Sequence, residues 1–242
     1  RCEVSHPQCR ELFRELVEQP LVQLVSVMDH APGQRQFARM EKYREYYMGK
    51  YHLSPAEMDC FVSEQLANSA RHSDQQRAAI VDICRSQELA LASHDDATLE
   101  HVTESADYGM AIAEFPTTFE AAEASHARGL KVLMGAPNIV RGGSHSGNIA
   151  AADLARRGVL DILSSDYYPA SLRQAALGLA EQANGYDLPR AIATISLAPA
   201  RAAGLDDRGE IAVGLRADLV QAQVHKGQPV IGQVWRQGRR GF

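Results

Sequence analysis

The sequence has little excess charge and no long apolar run, and each shortage excludes a class of protein. Its 242 residues contain 25 Lys and Arg against 30 Asp and Glu, a net charge of −5. A general nucleic-acid-binding protein normally carries a basic excess instead. No segment approaches the ~20 apolar residues that a membrane-spanning helix needs. We therefore expect neither nucleic acid nor a membrane among the partners.

Cysteines are also scarce. The four present, Cys2, Cys9, Cys60 and Cys84, form no CxxC pair and no zinc-finger spacing. We interpret them as reduced thiols of a cytoplasmic protein, because disulfides are rare in that compartment. The sequence begins at Arg1 in a stretch that resembles a strand. We expect it to be an N-terminally truncated piece of a longer chain.

What the sequence does contain is a regular alternation of short apolar, β-branched runs with helix-like stretches. Strands apolar on both faces are typical of a parallel sheet covered by helices. Six such units are two fewer than a closed eight-stranded (β/α) barrel requires. We therefore predict an α/β fold in which residues 1–204 form strands three to eight of a TIM-type barrel. The predicted strands are 1–4, 21–30, 89–96, 110–116, 131–138 and 159–166, and the predicted helices are 35–49, 54–86, 97–107, 117–128, 147–157 and 169–184.

The pattern changes near residue 205. From there to residue 242 the sequence is rich in Gly and Val, and its residues alternate without a helical period. This pattern predicts a few short antiparallel strands. We interpret 205–242 as the C-terminal part of a small β-sandwich domain.

Ionisable side chains stand at the ends of several predicted strands. Active sites of (β/α) barrels are built at the carboxyl ends of the strands, and imidazole and carboxylate are usual ligands of Zn, Mn, Fe and Ni. A single histidine at such a place is more often structural, but two of them with an aspartate favour a metal site. The polar side chains at the predicted strand ends are Glu3, Asp29, His30, His94, Asp95, Asp96, Glu114, Asn138 and Asp166.

Two stretches rich in hydrogen-bond donors accompany these strand ends. One is the glycine-rich stretch 135–148, which carries Arg141, Ser144, His145, Ser146 and Asn148 before a predicted helix. The other follows His30 and contains Gln34 and Arg35 among several basic residues. Backbone N–H groups, hydroxyls and guanidinium groups are what a phosphate requires. A plain tight connection and a solvated helix face remain the alternatives, yet the combination with a metal site points to a phosphorylated small-molecule substrate.

The segment 194–220, "TISLAPARAAGLDDRGEIAVGLRADLV", resembles the closing pattern of the amidohydrolase superfamily. More specific stretches are "MDHAPGQRQF", "LALASHDDAT" and "LDILSSDYYPASL". They resemble the diphosphatases of phosphonate metabolism within that superfamily, over essentially the whole sequence. The resemblance implies a divalent-metal hydrolase that removes diphosphate from a sugar 5-triphosphate. Homodimerisation and contacts with other phosphonate-pathway enzymes are compatible with it.

The resemblance also implies roles for individual residues. Glu3, His30, His94 and Asp166 would be metal ligands, for two ions in the full-length protein. Asp166 would also accept the proton from the attacking water. The residues implied in binding phosphate are Gln34, Arg35, Asn138, Arg141, Ser144, His145 and Asn148.

Two other functions stay open at this point. One is a cyclic amidase or deaminase of the same superfamily, which would use the same metal site on a carbonyl or amidine carbon. The other is an inactive fragment that only binds a partner, because the superfamily's first-strand ligand pair has no counterpart in this sequence. We expect that the fragment alone lacks a complete metal site.

Overall fold

The computed structural model describes residues 1–37, 39–144, 148–181 and 185–241. These residues form two compact units, Arg1–Leu130 and Lys131–Phe242. Among the helices of these residues, none combines the length and the apolar character needed to cross a bilayer. All four cysteines are free thiols, as the sequence predicts.

The first unit contains four parallel strands that lie side by side in chain order. Their register sets Glu3 opposite Met28 and His94 opposite Glu114. Because residues in register on parallel strands share one face of a sheet, polar side chains from different strands gather at one end. The strands are β1 (Cys2–Glu3), β2 (Leu24–Met28), β3 (Ala90–His94) and β4 (Ile112–Glu114).

Five helices accompany these strands, and several begin at side-chain caps. Ser54 and Glu57 form a reciprocal capping box at the start of the longest helix, which satisfies donors that would otherwise lack partners. The Thr98 and Thr118 hydroxyls cap two other helices by accepting from the His101 and Ala121 N–H groups. A short 3-10 turn covers Arg35–Phe37. The helices are α1 (Cys9–Val17), α2 (Met40–Tyr51), α3 (Pro55–Ser86), α4 (Leu99–Asp107) and α5 (Phe119–Ala127).

The core of the first unit lies between the strands and helices α1 and α3. Val27, Leu91 and Ile80 are almost completely buried there. Helix α3 also binds the N-terminal segment through Gln76, which is buried. The Gln76 side chain donates to the carbonyls of Val4 and His6, at 3.0 and 2.8 Å, and accepts from the Arg10 N–H at 2.6 Å. This one amide therefore anchors the segment that carries Glu3.

The second unit contains two parallel strands, five helices and an antiparallel sheet. The parallel pair is β5 (Lys131–Gly135) and β6 (Ile162–Ser164). The antiparallel sheet is β7 (Leu219–His225), β8 (Gln228–Arg236) and β9 (Arg239–Arg240). The helices are α6 (Ala136–Arg141), α7 (Ala151–Arg156), α8 (Ser171–Glu181), α9 (Leu188–Ala193) and α10 (Leu197–Ala202).

The α/β class, the six parallel strands and the antiparallel C-terminal strands are confirmed. The predicted strand 131–138 is too long, because Pro137 lies in the first turn of α6 and the strand ends at Gly135. Helix α1 was not predicted, although Cys9, Phe13 and Val17 repeat every four residues and are buried. The start of the helix predicted at 147 lies outside the described residues. The closed barrel and the division at residue 204 stay predictions.

The contacts of Gln76 allow a test of the fold. Gln76→Ala leaves two carbonyls and one N–H without their partner, so we expect it to lower the free energy of unfolding by about 3 kcal/mol. The neighbouring Gln75 is exposed, and Gln75→Ala should change that free energy by less than about 0.5 kcal/mol. Urea unfolding of both variants measures the difference. Equal stabilities would show that Gln76 does not anchor the N-terminal segment.

Candidate functional site

Two histidines and an aspartate meet at the carboxyl end of the first unit's strands. His30 lies just after β2, His94 ends β3 and Asp95 follows it. One ligand atom from each lies within 4.8 Å of the others. Asp95 Oδ2 is 3.3 Å from His30 Nε2 and 3.4 Å from His94 Nε2. A carboxylate oxygen and two imidazole nitrogens at this spacing are a donor set that a divalent transition metal can use.

The other nitrogen of each imidazole is bound to a second carboxylate. His30 Nδ1 lies 2.8 Å from Glu3 Oε2, and His94 Nδ1 lies 2.7 Å from Glu114 Oε2. Carboxylates in this position fix the tautomer and the orientation of metal-binding histidines. Glu3 is predicted as a ligand, and the structure places it against His30 Nδ1. The metal role of Glu3 stays a prediction.

Both carboxylates have further donors. Ser26 Oγ donates to Glu114 Oε2 at 2.5 Å, and the Arg1 guanidinium donates to Glu114 Oε1 at 2.7 Å. Glu3 Oε1 accepts from Ser5 Oγ and from the His30 N–H, at 2.8 and 3.1 Å. Each imidazole is therefore held by a carboxylate that is itself held in place.

These contacts change the pKa values of the site. Burial alone would lower the pKa of His30, but its hydrogen bonds to Asp95 and Glu3 and their negative charges raise it to about 9. Burial alone would raise the pKa of Glu114, but the hydrogen bond from His94, the charge of His94 and the Ser26 hydroxyl lower it to about 2. The pKa of Glu3 is lowered despite burial, mainly by its hydrogen bond to His30. Without a cation, the site therefore binds a proton on His30 at neutral pH.

Asp95 has an unusual backbone conformation, with φ at +57°. Its N–H donates to the Glu114 carbonyl at 2.9 Å. A left-handed conformation at a residue other than glycine costs on the order of 1 kcal/mol and is concentrated at functional sites. The strained turn is thus consistent with a functional strand end.

A buried ion-pair network lies beside this group. The Arg35 guanidinium donates to Asp96 and, at 2.7 Å, to Glu104, which also accepts from Arg77 at 3.2 Å. Burial, with the neighbouring charge of Arg77, lowers the pKa of Arg35 to about 10. Gln34 is exposed and lines, with Arg35 and Arg77, a cavity of about 470 Å³. The phosphate-binding role of Gln34 and Arg35 stays a prediction, and in this structure the Arg35 guanidinium contacts carboxylates.

Helix α3 supports the same strand end through Asp29. The Asp29 carboxylate is buried and accepts from the Ser69 and Ser73 hydroxyls, at 3.1 and 2.7 Å. It also accepts from the Ala31 N–H at 3.0 Å. The backbone on both sides of His30 is thereby held by helix α3.

The second unit carries the predicted catalytic carboxylate. Asp166 is exposed, follows β6 and has φ at +50°. Its Oδ2 would lie 3.2 Å from a Cβ placed on Gly135, so a larger residue at 135 would crowd the carboxylate. Arg141, at the end of α6, donates to the Tyr167 hydroxyl at 3.0 Å. Tyr167, the residue directly after Asp166, thus contacts Arg141, which is predicted to bind phosphate.

The remaining predicted phosphate-binding residues lie in or after the glycine-rich stretch. Asn138 Oδ1 accepts from the Ala151 N–H at 2.9 Å, and Asn138 Nδ2 donates to the Ile149 carbonyl at 3.3 Å. This amide therefore joins the two ends of the stretch. Ser144 and Asn148 are partly buried, and His145 lies outside the described residues. Their phosphate contacts stay predictions.

Sequence reasoning placed Asp95 and Glu114 at strand ends but assigned neither to the metal site. Asp95 follows His94 directly, and its position beside a predicted ligand was the available signal. The contact of Glu114 with His94 could not be predicted, because only the register of β3 with β4 places the two opposite each other.

Comparisons with known proteins agree with this architecture. A sequence model described as "Amidohydrolase family" matches residues 48–240. The chain is 58% identical over 243 residues to the alpha-D-ribose 1-methylphosphonate 5-triphosphate diphosphatase of Escherichia coli (strain K12). The match covers 100% of this chain and 64% of that relative, so the chain spans about 64% of the relative's length.

Two solved structures are similar in part. A crystal structure of an uncharacterized protein has a TM-score of 0.50 and 19% identity, and the match covers 67% of this chain and 48% of that one. A crystal structure of an adenine deaminase has a TM-score of 0.48 and 15% identity, with 69% and 55% covered. At 19% and 15% identity, these similarities concern the fold alone. Since the family match covers well over half of the sequence, the chain belongs to the amidohydrolase family.

Proposed function

We propose that this chain supplies metal ligands and catalytic residues to a hydrolase that removes diphosphate from α-D-ribose 1-methylphosphonate 5-triphosphate. The observation that carries the proposal is the meeting of His30, His94 and Asp95 within 4.8 Å at the strand ends. The 58% identity to a diphosphatase of that substrate supports the substrate class. The 5-phosphate product would stay on the sugar, and the reaction would belong to phosphonate catabolism.

The donor set fits a divalent transition metal. His30 and His94 offer Nε2 atoms, Asp95 offers Oδ2, and both Nδ1 atoms have carboxylate partners. These three residues would hold Zn, Mn, Fe or Ni, and Glu3 and Asp166 are the further proposed ligands for a second ion. A bound ion of this kind supplies Lewis acidity, which lowers the pKa of water and offsets phosphate charge.

The residues of the chain then have distinct tasks. Asp166 accepts a proton from the attacking water. The water oxygen bonds to the α-phosphorus, the bond from the α-phosphorus to the bridging oxygen breaks, and diphosphate leaves with that oxygen and its electron pair. Glu3 and Glu114 would keep both imidazoles in the tautomer with the proton on Nδ1, which leaves the Nε2 lone pairs for a cation. The residues proposed to bind phosphate oxygens are Gln34, Arg35, Asn138, Arg141, Ser144, His145 and Asn148.

The proposed role of Asp166 predicts a loss of turnover. In the full-length enzyme, Asp166→Asn removes the proton acceptor but keeps the size of the side chain, so diphosphate release should fall about a hundredfold or more. Binding of the triphosphate, followed by calorimetry, should persist. Asp153 lies on α7 and is partly buried, and Asp153→Asn serves as the control. An Asp166→Asn variant with the wild-type rate, or a wild type that turns over cyclic amides instead of the triphosphate, would contradict the proposal.

The ligand set predicts a specific loss of metal binding. His94→Ala removes one donor and leaves Glu114 buried without its imidazole partner. We expect the affinity for Mn²⁺ to fall roughly 10–100-fold or more. His72→Ala, a change in the same unit on α3, should leave the affinity unchanged. Equilibrium dialysis with metal analysis measures both, and equal affinities in the two variants would exclude His94 as a ligand.

The raised pKa of His30 predicts how metal binding depends on pH. Because this pKa is about 9 in the metal-free chain, His30 is protonated at pH 7, and metal binding must release its proton. The affinity should therefore rise on the order of tenfold per pH unit from 7 toward 9 and level off above that value. Calorimetry in buffers of different ionisation enthalpy counts the released protons. An affinity that is flat over this range would show that His30 is not a ligand.

A further inference from the structure

Arg141 and Tyr167 form a solvent-exposed pair in the second unit. The Arg141 guanidinium donates to the Tyr167 hydroxyl at 3.0 Å. Tyr167 is 59% exposed, and Arg141 is exposed as well. An exposed hydrogen bond of this kind contributes little to stability, because water competes for both groups. The pair therefore calls for an explanation other than packing.

The position of the pair is fixed by helix α6. The helix starts after Gly135, where an added Cβ would lie 3.2 Å from Asp166 Oδ2, and it ends at Arg141. Six residues at about 1.5 Å each separate the two ends by roughly 8 Å. Tyr167 follows Asp166 directly in sequence and reaches the far end of the same helix. The second unit thus presents a carboxylate near the start of α6 and a cation with a hydroxyl at its end.

Two carbonyls at the end of α6 have hydrogen-bond partners, which reduces the repulsion of an anion there. The carbonyls of Asn138 and Ile139 accept from the N–H groups of Gly143 and Gly142, at 2.9 and 3.1 Å. Helix C-termini normally repel anions through unpaired carbonyls, and here these two are paired. A guanidinium presents several N–H donors in one plane, so Arg141 can bind Tyr167 and still offer donors to an oxyanion.

We propose that Arg141 binds the terminal phosphates of the substrate, which leave as diphosphate, and that Tyr167 is a positioning residue for the Arg141 guanidinium. This inference depends on the proposed function and adds to it, since it assigns one predicted donor to one part of the substrate. The water attacks the α-phosphorus beside Asp166, and the two phosphates beyond it extend from that point toward Arg141. Arg141 then neutralises charge on the leaving group as it departs.

Binding of inorganic diphosphate to the 242-residue chain tests the inference. Calorimetry at constant ionic strength should show Arg141→Ala weakening binding about tenfold or more. Tyr167→Phe, which keeps the ring and loses the hydroxyl, should weaken it about 3- to 10-fold. Tyr168→Phe is the matched control, since Tyr168 is the adjacent exposed tyrosine, and it should stay within about twofold of the wild type.

The combined variant separates positioning from direct contact. If Tyr167 acts through Arg141, Arg141→Ala with Tyr167→Phe should bind diphosphate no more weakly than Arg141→Ala alone. Additive losses would overturn the positioning role. In turnover assays with the triphosphate, Tyr167→Phe should raise KM more than it lowers kcat.

A second probe, methylphosphonate, distinguishes a failure of this inference from a failure of the proposed function. Methylphosphonate represents the opposite end of the substrate. Its affinity should be the same in Arg141→Ala and in Tyr167→Phe as in the wild type. Variants that weaken methylphosphonate but not diphosphate would overturn the assignment of Arg141 and leave the proposed function standing. A wild-type chain that binds neither probe would contradict the proposed function itself.

Discussion

The site depends on one contact: a single carboxylate oxygen of Asp95 that lies within 3.4 Å of two imidazoles. Buried charges of this kind are costly unless they are paired and hydrogen-bonded. Here each imidazole is also bound on its other side by Glu3 or Glu114. The arrangement leaves two Nε2 atoms and one carboxylate directed at the same small volume, which is the geometry a cation needs.

Strand register and helix contacts hold these side chains together at one end of the sheet. The register of β1 with β2 determines the position of Glu3, and the register of β3 with β4 determines the position of Glu114. Helix α3 fixes the segments around them through Gln76 and Asp29. In the second unit, β6 and α6 hold Asp166 beside Gly135 and place Arg141 next to Tyr167. In the proposed function, binding of the cation and binding of the anion are tasks of different segments of the chain.

Much of the fold could be predicted from local pattern, because buried parallel strands and amphipathic helices have distinct apolar periods. The end of β5 could not, since α6 begins at Ala136 with Pro137 in its first turn, while the apolar run of the sequence continues past that point. His30 and His94 could be placed at strand ends because an apolar run precedes each of them within two residues, and the structure brings them together, while their metal role stays a prediction. Glu114 and Tyr167 could not be assigned, because their partners His94 and Arg141 lie 20 and 26 residues away and sequence spacing alone does not show such contacts.

The most direct test of the central claim is anomalous diffraction from crystals soaked with Mn²⁺ or Zn²⁺. We predict a peak within about 2.3 Å of His30 Nε2, His94 Nε2 and a carboxylate oxygen of Asp95, as first-row metal ligands require. A fully occupied peak elsewhere, with these three side chains still hydrogen-bonded to one another, would contradict the claim that they form the metal site.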